Sequence, residues 1–154
     1  MASPYRIRPA RFADAPAIAA IERATFSDPW PASAFASRGP GEMAWLAEGP
    51  PGTVLGFVVT RRVADEGEIL DLAVRESARR AGVGTALLGV ALADLGDAGV
   101  RRVFLEVRAS NTAAQGFYRR HGFTAVGRRA DYYRTPPEDA VLMERSVTPD
   151  TEGA

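Results

Sequence analysis

Arg79-Arg80-Ala81-Gly82-Val83-Gly84-Thr85 is the stretch of this chain whose reading decides the fold. Before it runs Ile69-Leu70-Asp71-Leu72-Ala73-Val74, an apolar series with the pattern of a buried strand. After it, residues 85–95 (TALLGVALADL) are rich in Leu and Ala and predict a helix. A glycine-rich turn between strand and helix gathers unbonded backbone N–H groups and the positive end of the helix dipole at one point. Such a point binds anions, phosphate above all. The two glycines let a ligand approach where a Cβ would block it. With 15 glycines in 154 residues, roughly one G-x-G arises by chance, so the turn alone also fits an ordinary strand-to-helix connection. No Lys-Ser or Lys-Thr follows Gly84, which excludes a Walker loop. Leu87 stands where a dinucleotide fold would need its third glycine. What remains is an arginine-led R-x-x-G-x-G loop that offers amides to a phosphate without a metal-binding partner.

Composition narrows the chemistry further. A length of 154 residues is that of one domain with a real core, and the reading here is one domain over residues 1–146 with a flexible tail over 147–154. The formal net charge is zero, so no overall field favours nucleic acid or an anionic membrane as a partner. All 19 basic residues are arginine, a bias more in keeping with coding preference than with function. Cysteine is absent, which removes disulfides, thiolate metal sites and a cysteine nucleophile. His121 is the one imidazole, so no metal is expected. The N-terminus has no apolar signal core and no run approaches transmembrane length, which predicts a cytoplasmic protein.

Along the chain, residues 5–8 alternate like a first strand. Residues 14–26 predict a helix, with Ile18, Ile21 and Phe26 on its apolar face, Asp14 and Glu22 among its polar positions and Pro16 in its first turn. Residues 32–37 predict a second, short helix. Strands over 43–48 and 54–63 are joined by Gly49-Pro50-Pro51-Gly52, and a turn over 64–67 leads into the strand that ends at Val74. Residues 102–107 predict a strand and 111–120 a helix, with Asn111 as N-cap and Gly122 at the C-terminal end. Two last strands, 124–128 and 140–146, flank a loop that holds Tyr132, Tyr133, Pro136 and Pro137. Strands first and strand–helix units later predict a mixed sheet with helices on both faces. In the strand through Glu106, residues Val103, Leu105 and Val107 share one face, and Phe104 and Glu106 share the other. A solvent-facing glutamate and a functional acid both fit that position.

Several spaced motifs now give a resemblance. R-x-x-G-x-G between strand and helix resembles the acetyl-coenzyme A pyrophosphate loop of the GNAT N-acetyltransferases. Leu105-Glu106-Val107-Arg108-Ala109-Ser110-Asn111 and Phe117-Tyr118-Arg119-Arg120-His121-Gly122-Phe123 resemble that family's later motifs. Together with Asp28-Pro29-Trp30 and Asp131-Tyr132-Tyr133, they resemble the RimI-type ribosomal-protein S18 alanine acetyltransferases over residues 5–146. The resemblance implies an α/β (α+β) GNAT fold. This is a mostly antiparallel sheet of about seven strands, with about four helices on its two faces. The sheet splays between its fourth and fifth strands, and acetyl-CoA is wedged in the gap. It implies that amides of Arg80, Ala81, Gly82, Val83, Gly84 and Thr85 hold the pyrophosphate, with Arg79 opening the motif. The backbone of Leu72, Ala73 and Val74 would pair with the pantetheine arm, and an N–H near Val74 would polarise the thioester carbonyl. Asn111 would add a hydrogen bond to that arm.

The same resemblance makes Glu106 the general base and Tyr118 the general acid. A phenol of pKa about 10 can protonate the departing thiolate. On the helix, Phe117 suits the core better than Tyr118, because adjacent residues cannot share a face. An α-ammonium with pKa near 8 is roughly one-tenth free amine at neutral pH. A lysine side chain near 10.4 is free at well below a tenth of a per cent, a gap of roughly 3.4 kcal/mol. A single carboxylate therefore suits an α-amine. With no cysteine for an acetyl-enzyme, direct attack in a ternary complex is the simplest mechanism. Trp30, Tyr132 and Tyr133 are the expected acceptor-binding residues, on loops rich in aromatics. The expected acceptor is a protein N-terminus, ribosomal protein S18 by resemblance. A small amine, a protein lysine, or a non-catalytic acyl-CoA-binding module are the alternatives.

Overall fold

The computed structural model describes residues 4–147; the expected tail beyond Val147 lies outside the described residues. Seven strands form one sheet in the order β1-β2-β3-β4-β5-β7-β6. They are β1 (Arg6–Pro9), β2 (Glu42–Gly49), β3 (Thr53–Val63), β4 (Glu66–Val74), β5 (Arg102–Arg108), β6 (Thr124–Arg134) and β7 (Pro137–Ser146). Every neighbouring pair is antiparallel except β4 and β5. Helices α1 (Ala15–Thr25) and α2 (Ala32–Ala36) cover one face. Helices α3 (Val83–Asp97) and α4 (Thr112–Arg120) cover the other. The expected fold class, strand number and helix number all hold.

α1 starts with Pro16 in its first turn, where the missing N–H costs nothing. Its buried stripe is Ala15, Ile18, Ala19 and Glu22, at i, i+3, i+4 and i+7. Glu22 was expected among the polar positions, yet only 2% of it is exposed. Its spacing from Ala15 and Ile18 puts it over the sheet whatever its polarity. α3 begins at Val83, two residues before the expected start. Gly82 caps it at φ +80°, a left-handed conformation that glycine adopts at no steric cost. Leu87, Leu88, Ala91, Leu92 and Leu95 bury this helix against the sheet, so it is fixed along most of its length.

Two features of the sheet create the site. The first is a bulge in β4: Val59 pairs with Asp71 but Thr60 with Ile69, so Leu70 is the extra residue. An extra residue reverses which face the following side chains take. Ile69, Leu72 and Val74 accordingly pack on the α3 side, while Leu70 and Ala73 pack on the α1 side. The second is a splay. β4 and β5 pair only from Glu66 with Arg102 to Ile69 with Leu105. Past that point the two strands part, and residues 70–74 keep β3 as a neighbour on one edge only. The opposite edge is open backbone facing a wedge-shaped gap.

The last hairpin differs from its expected form. Tyr132 and Tyr133 do not lie in a loop: β6 runs on to Arg134, and the turn is reduced to Thr135 and Pro136. The alternation fails because the register slips between Arg129 and Tyr133, with Asp131 at φ +51°. Asp139 holds this irregularity by accepting the Asp131 N–H at 2.9 Å. A bulge of this kind re-aims side chains, and here it brings the two tyrosine rings edge to face at 5.0 Å.

Candidate active site

At the open end of the gap, past Val74, β4 leads through a short turn into α3. Ala86 N–H bonds Gly82 C=O, so the N–H groups of Val83, Gly84 and Thr85 precede the first helical bond. No side chain caps them. Arg80 at φ +70° and Gly82 at φ +80° turn the loop so that successive amides converge, a concavity suited to a phosphate. Arg79 is tied down, donating from Nε to the Val74 carbonyl at 3.1 Å. That bond closes the loop onto the end of β4. Space at Gly84 is open enough for a ligand: a Cβ there would first meet the Phe117 ring at 3.4 Å. Thr85 Oγ1 lies 3.1 Å from His121 Nε2, which joins the start of α3 to the end of α4. Open amides and the open edge of β4, over Leu72, Ala73 and Val74, together fit the pyrophosphate and amide-bearing arm of a coenzyme A.

Asn111 caps α4 as expected, its Oδ1 accepting the Ala114 N–H at 3.0 Å. Such a cap is worth about 1 kcal/mol. The expected division of labour between Phe117 and Tyr118 is reversed. Tyr118 is the buried ring, packed edge-on against Phe123 at 5.5 Å, and Phe117 is half-buried beside His121. The reason is tertiary: the wall of the core lies toward β5 and Phe123, and Phe117 faces the α3 N-terminus instead. Burial, with the Asp71 charge added, holds the Tyr118 hydroxyl above its ordinary pKa. It is therefore protonated at neutral pH, with an O–H that can donate a hydrogen bond.

On the far bank, Glu106 leaves the face of β5 opposite Val103, Leu105 and Val107, as the alternation predicts. Its side chain is 15% exposed and its Oε2 has no hydrogen-bond partner among the described residues. Arg129 Nε lies 3.5 Å from that oxygen. Burial and the Glu106 charge raise the Tyr132 hydroxyl, and the same causes push Tyr133 up to about 12. Glu106 and the tyrosine pair thus lie close together on this bank. Trp30 approaches from the α1 side, stacked on Phe35 with ring centroids 5.7 Å apart.

Several residues that the motifs did not single out organise this bank. Arg108 donates to Pro136 C=O and Thr135 C=O, each at 2.9 Å, pairs with Glu138 at 3.2 Å, and lies 4.3 Å from the centre of the Tyr133 ring. It pins the hairpin tip and the tyrosine together. Ser27 Oγ donates to the Thr135 carbonyl at 3.0 Å, so the segment before Trp30 touches the hairpin tip. Glu22 and Asp71 meet beneath the Trp30 segment. Arg108 stands within the quoted Leu105–Asn111 motif, so a sequence signal for it existed. Asp71 gave none, because the β4 bulge that turns it toward α1 leaves no mark in the hydrophobic pattern.

An open strand edge, convergent amides at a helix start and an acid across the gap define an acyl-CoA-dependent transferase site. Residues 13–123 match the Acetyltransferase (GNAT) family, and the chain belongs to that family: it is an acetyl-CoA-dependent N-acetyltransferase. Among its relatives is the [ribosomal protein bS18]-alanine N-acetyltransferase of Escherichia coli K12. The two are 36% identical over 137 residues, covering 88% of this chain and 93% of the relative. An N-alpha-acetyltransferase of Sulfurisphaera tokodaii is 32% identical over 153 residues, covering 90% and 91%. The crystal structure of the Escherichia coli ribosomal-protein-S18-alanine N-acetyltransferase superposes with a TM-score of 0.85 at 32% identity, covering 94% of each chain.

Proposed function

We propose that this chain acetylates the N-terminal α-amine of a protein, the N-terminal alanine of ribosomal protein S18, by direct attack in a ternary complex. A cytoplasmic location goes with such a substrate. The observation that carries the reading is the splay of β4 from β5, with open backbone on one bank and Glu106 on the other. Relatives that act on the S18 alanine and on N-terminal α-amines support the choice of acceptor.

Bound acetyl-CoA supplies the thioester whose carbonyl carbon the amine attacks. Leu72, Ala73 and Val74 offer backbone to the pantetheine arm, and an N–H near Val74 stabilises charge on the thioester oxygen. Val83, Gly84 and Thr85, with Arg80, Ala81 and Gly82, hold the pyrophosphate, while Arg79 keeps the loop closed. Asn111 caps α4 and adds a hydrogen bond to the arm. Glu106 takes the proton of the amine, directly or through a water. Tyr118, held in its protonated form by burial, gives a proton to the departing sulfur. Trp30, Tyr132 and Tyr133 line the acceptor side, and the cation at Arg129 stands beside the base.

The test is coenzyme A release from acetyl-CoA with a peptide carrying the N-terminus of S18. The control is the same peptide with a blocked α-amine and a free lysine. Because the chain contains no lysine, acetyl-lysine signal cannot come from the enzyme. Turnover of the first peptide alone is the expected result. Turnover of the lysine control, or of neither, overturns the assignment.

A further inference from the structure

Glu22 and Asp71 are two acids that the reaction above does not use. Glu22 comes from the buried stripe of α1, and Asp71 follows the bulge residue of β4. Glu22 Oε2 accepts the backbone N–H of Trp30 at 3.0 Å. Its other oxygen, Oε1, and Asp71 Oδ2 are both buried, and neither has a hydrogen-bond donor among the described residues. Two facing carboxyls out of water cannot both ionise cheaply, and one proton between them removes the repulsion and satisfies both oxygens. The arrangement is then a chain: Asp71 O–H donates to Glu22, and Glu22 accepts from Trp30.

Trp30 is one wall of a pocket of about 340 Å³ that Phe35, Val59 and Leu70 line with it. Leu70 is the residue just before Asp71. Both walls therefore hang from the carboxyl pair, one through a backbone N–H and the other through the chain.

We propose that the proton shared by Glu22 and Asp71 positions the acceptor, by locking the Trp30 segment in the form that receives the acceptor's side chain next to the reacting amine. This rests on the acceptor reading above. Glu22 and Asp71 are positioning residues, since neither is placed at the reacting atoms. The groups facing Asp71 are Glu22 from α1 and Tyr118 from α4. β3 presents Val59 and Thr60, which carry no charge, and the charged side chains of Arg38 and Glu42 line the same pocket as Trp30. Burial, and then Glu22, push the Asp71 carboxyl up to about 9. Above that pH the proton leaves, two like charges meet, and the Trp30 segment loses its fixed place.

The test compares the wild type with Asp71→Asn from pH 6.5 to 10, using the S18 N-terminal peptide. Asparagine donates an N–H to Glu22 at every pH. The ratio of the two peptide KM values cancels titration of the peptide amine. It is expected near one at pH 7 and near tenfold at pH 10, where about a tenth of the wild type keeps its proton. kcat is expected to be the same in both. A second measurement needs no acceptor. In a Trp45→Phe background Trp30 is the remaining tryptophan, and its emission is expected to shift between pH 8 and 10 only when Asp71 is present. A KM ratio flat with pH, equal emission changes in both forms, or a fall in kcat at unchanged KM overturns the proposal. Absence of peptide turnover would sink the acceptor reading instead, and the emission of Trp30 would still decide the lock.

Discussion

The two banks of the gap are built on opposite principles. On the β5, β6 and β7 bank, acids are matched with arginines: Glu106 with Arg129, Glu138 with Arg108, Asp139 with Arg128. On the β4 and α1 bank, two acids are matched with each other beneath apolar side chains. The first bank can keep its charges in place across neutral pH, because each carboxylate has a cation beside it. The second must hold a proton to stay together. A net charge of zero hides this contrast, since matched and unmatched acids count alike. What differs is location. The arginine-rich bank carries the expected base, and the proton-sharing bank carries the Trp30 segment.

The largest effect should come from the charged bank. Glu106→Gln keeps the shape of the side chain and its place on β5 but removes the proton acceptor. A fall of about 10²–10⁴ in kcat is expected, with acetyl-CoA affinity by calorimetry unchanged. Loss of acetyl-CoA binding would show that Glu106 is structural, and unaltered kcat would remove it from the chemistry. Tyr118→Phe should follow with a loss of about 10²-fold in kcat and little change in melting temperature. Its hydroxyl accounts for none of the ring packing against Phe123. A large drop in melting temperature would instead mark the hydroxyl as a buried structural donor.

How much of this was legible beforehand divides along the same line. The loop from Arg79 to Thr85, the alternation that exposes Glu106 and the Asn111 cap are local patterns, set by spacing within one element. They were readable because strand and helix periods act on neighbours in sequence. The order of Phe117 and Tyr118 was not, because both faces of α4 meet protein: Phe123 lies on one side and the α3 N-terminus on the other. The extent of β6 was missed for a similar reason. Its pattern breaks at Asp131, and the side chain of Asp139 from β7 repairs the break. Glu22 reads as a surface position by its polarity, although its spacing from Ala15 and Ile18 is that of the core. The splay and the bulge at Leu70 depend on which strands are neighbours, which no window of sequence contains.

A smaller effect should separate the hairpin from the chemistry. Arg108→Leu removes the bonds to Thr135 and Pro136 and the cation over Tyr133, while a comparable apolar stem remains. The hairpin tip then loses its anchor to β5, and Ser27 loses a fixed partner at Thr135. Peptide KM is expected to rise about tenfold, with kcat changed by less than about threefold, since two charge-assisted bonds of roughly 1.5 kcal/mol or more each are partly replaced by water. Equal loss in kcat and kcat/KM would mean that Arg108 acts on the reacting groups and not on the hairpin.

The last effect concerns stability, and it isolates the proton-sharing bank from catalysis altogether. Asp71 has a folded pKa raised by burial and by Glu22, against an unfolded value near 3.9. Between those two values the folded chain holds a proton that the unfolded chain has lost. Stability therefore falls as pH rises across that window, by at most about 1.4 kcal/mol per pH unit, and the pair's contribution is whole only below the unfolded value. Asp71→Asn removes the titrating group while keeping a donor for Glu22. The melting temperature of the variant minus that of the wild type should thus increase steadily from pH 5 to pH 8.5. On the opposite bank, Asp139 is held below its ordinary range by the Asp131 N–H and by Arg128, so its stabilising effect is already complete at pH 5. Asp139→Asn should consequently cost the same number of degrees at pH 5 and at pH 8.5. If both variants gave differences independent of pH, the two banks would be electrostatically alike and Asp71 would be ionised in the folded chain. A difference that rises with pH for Asp71→Asn beside a flat one for Asp139→Asn would instead leave the shared proton as the feature that distinguishes the Trp30 side.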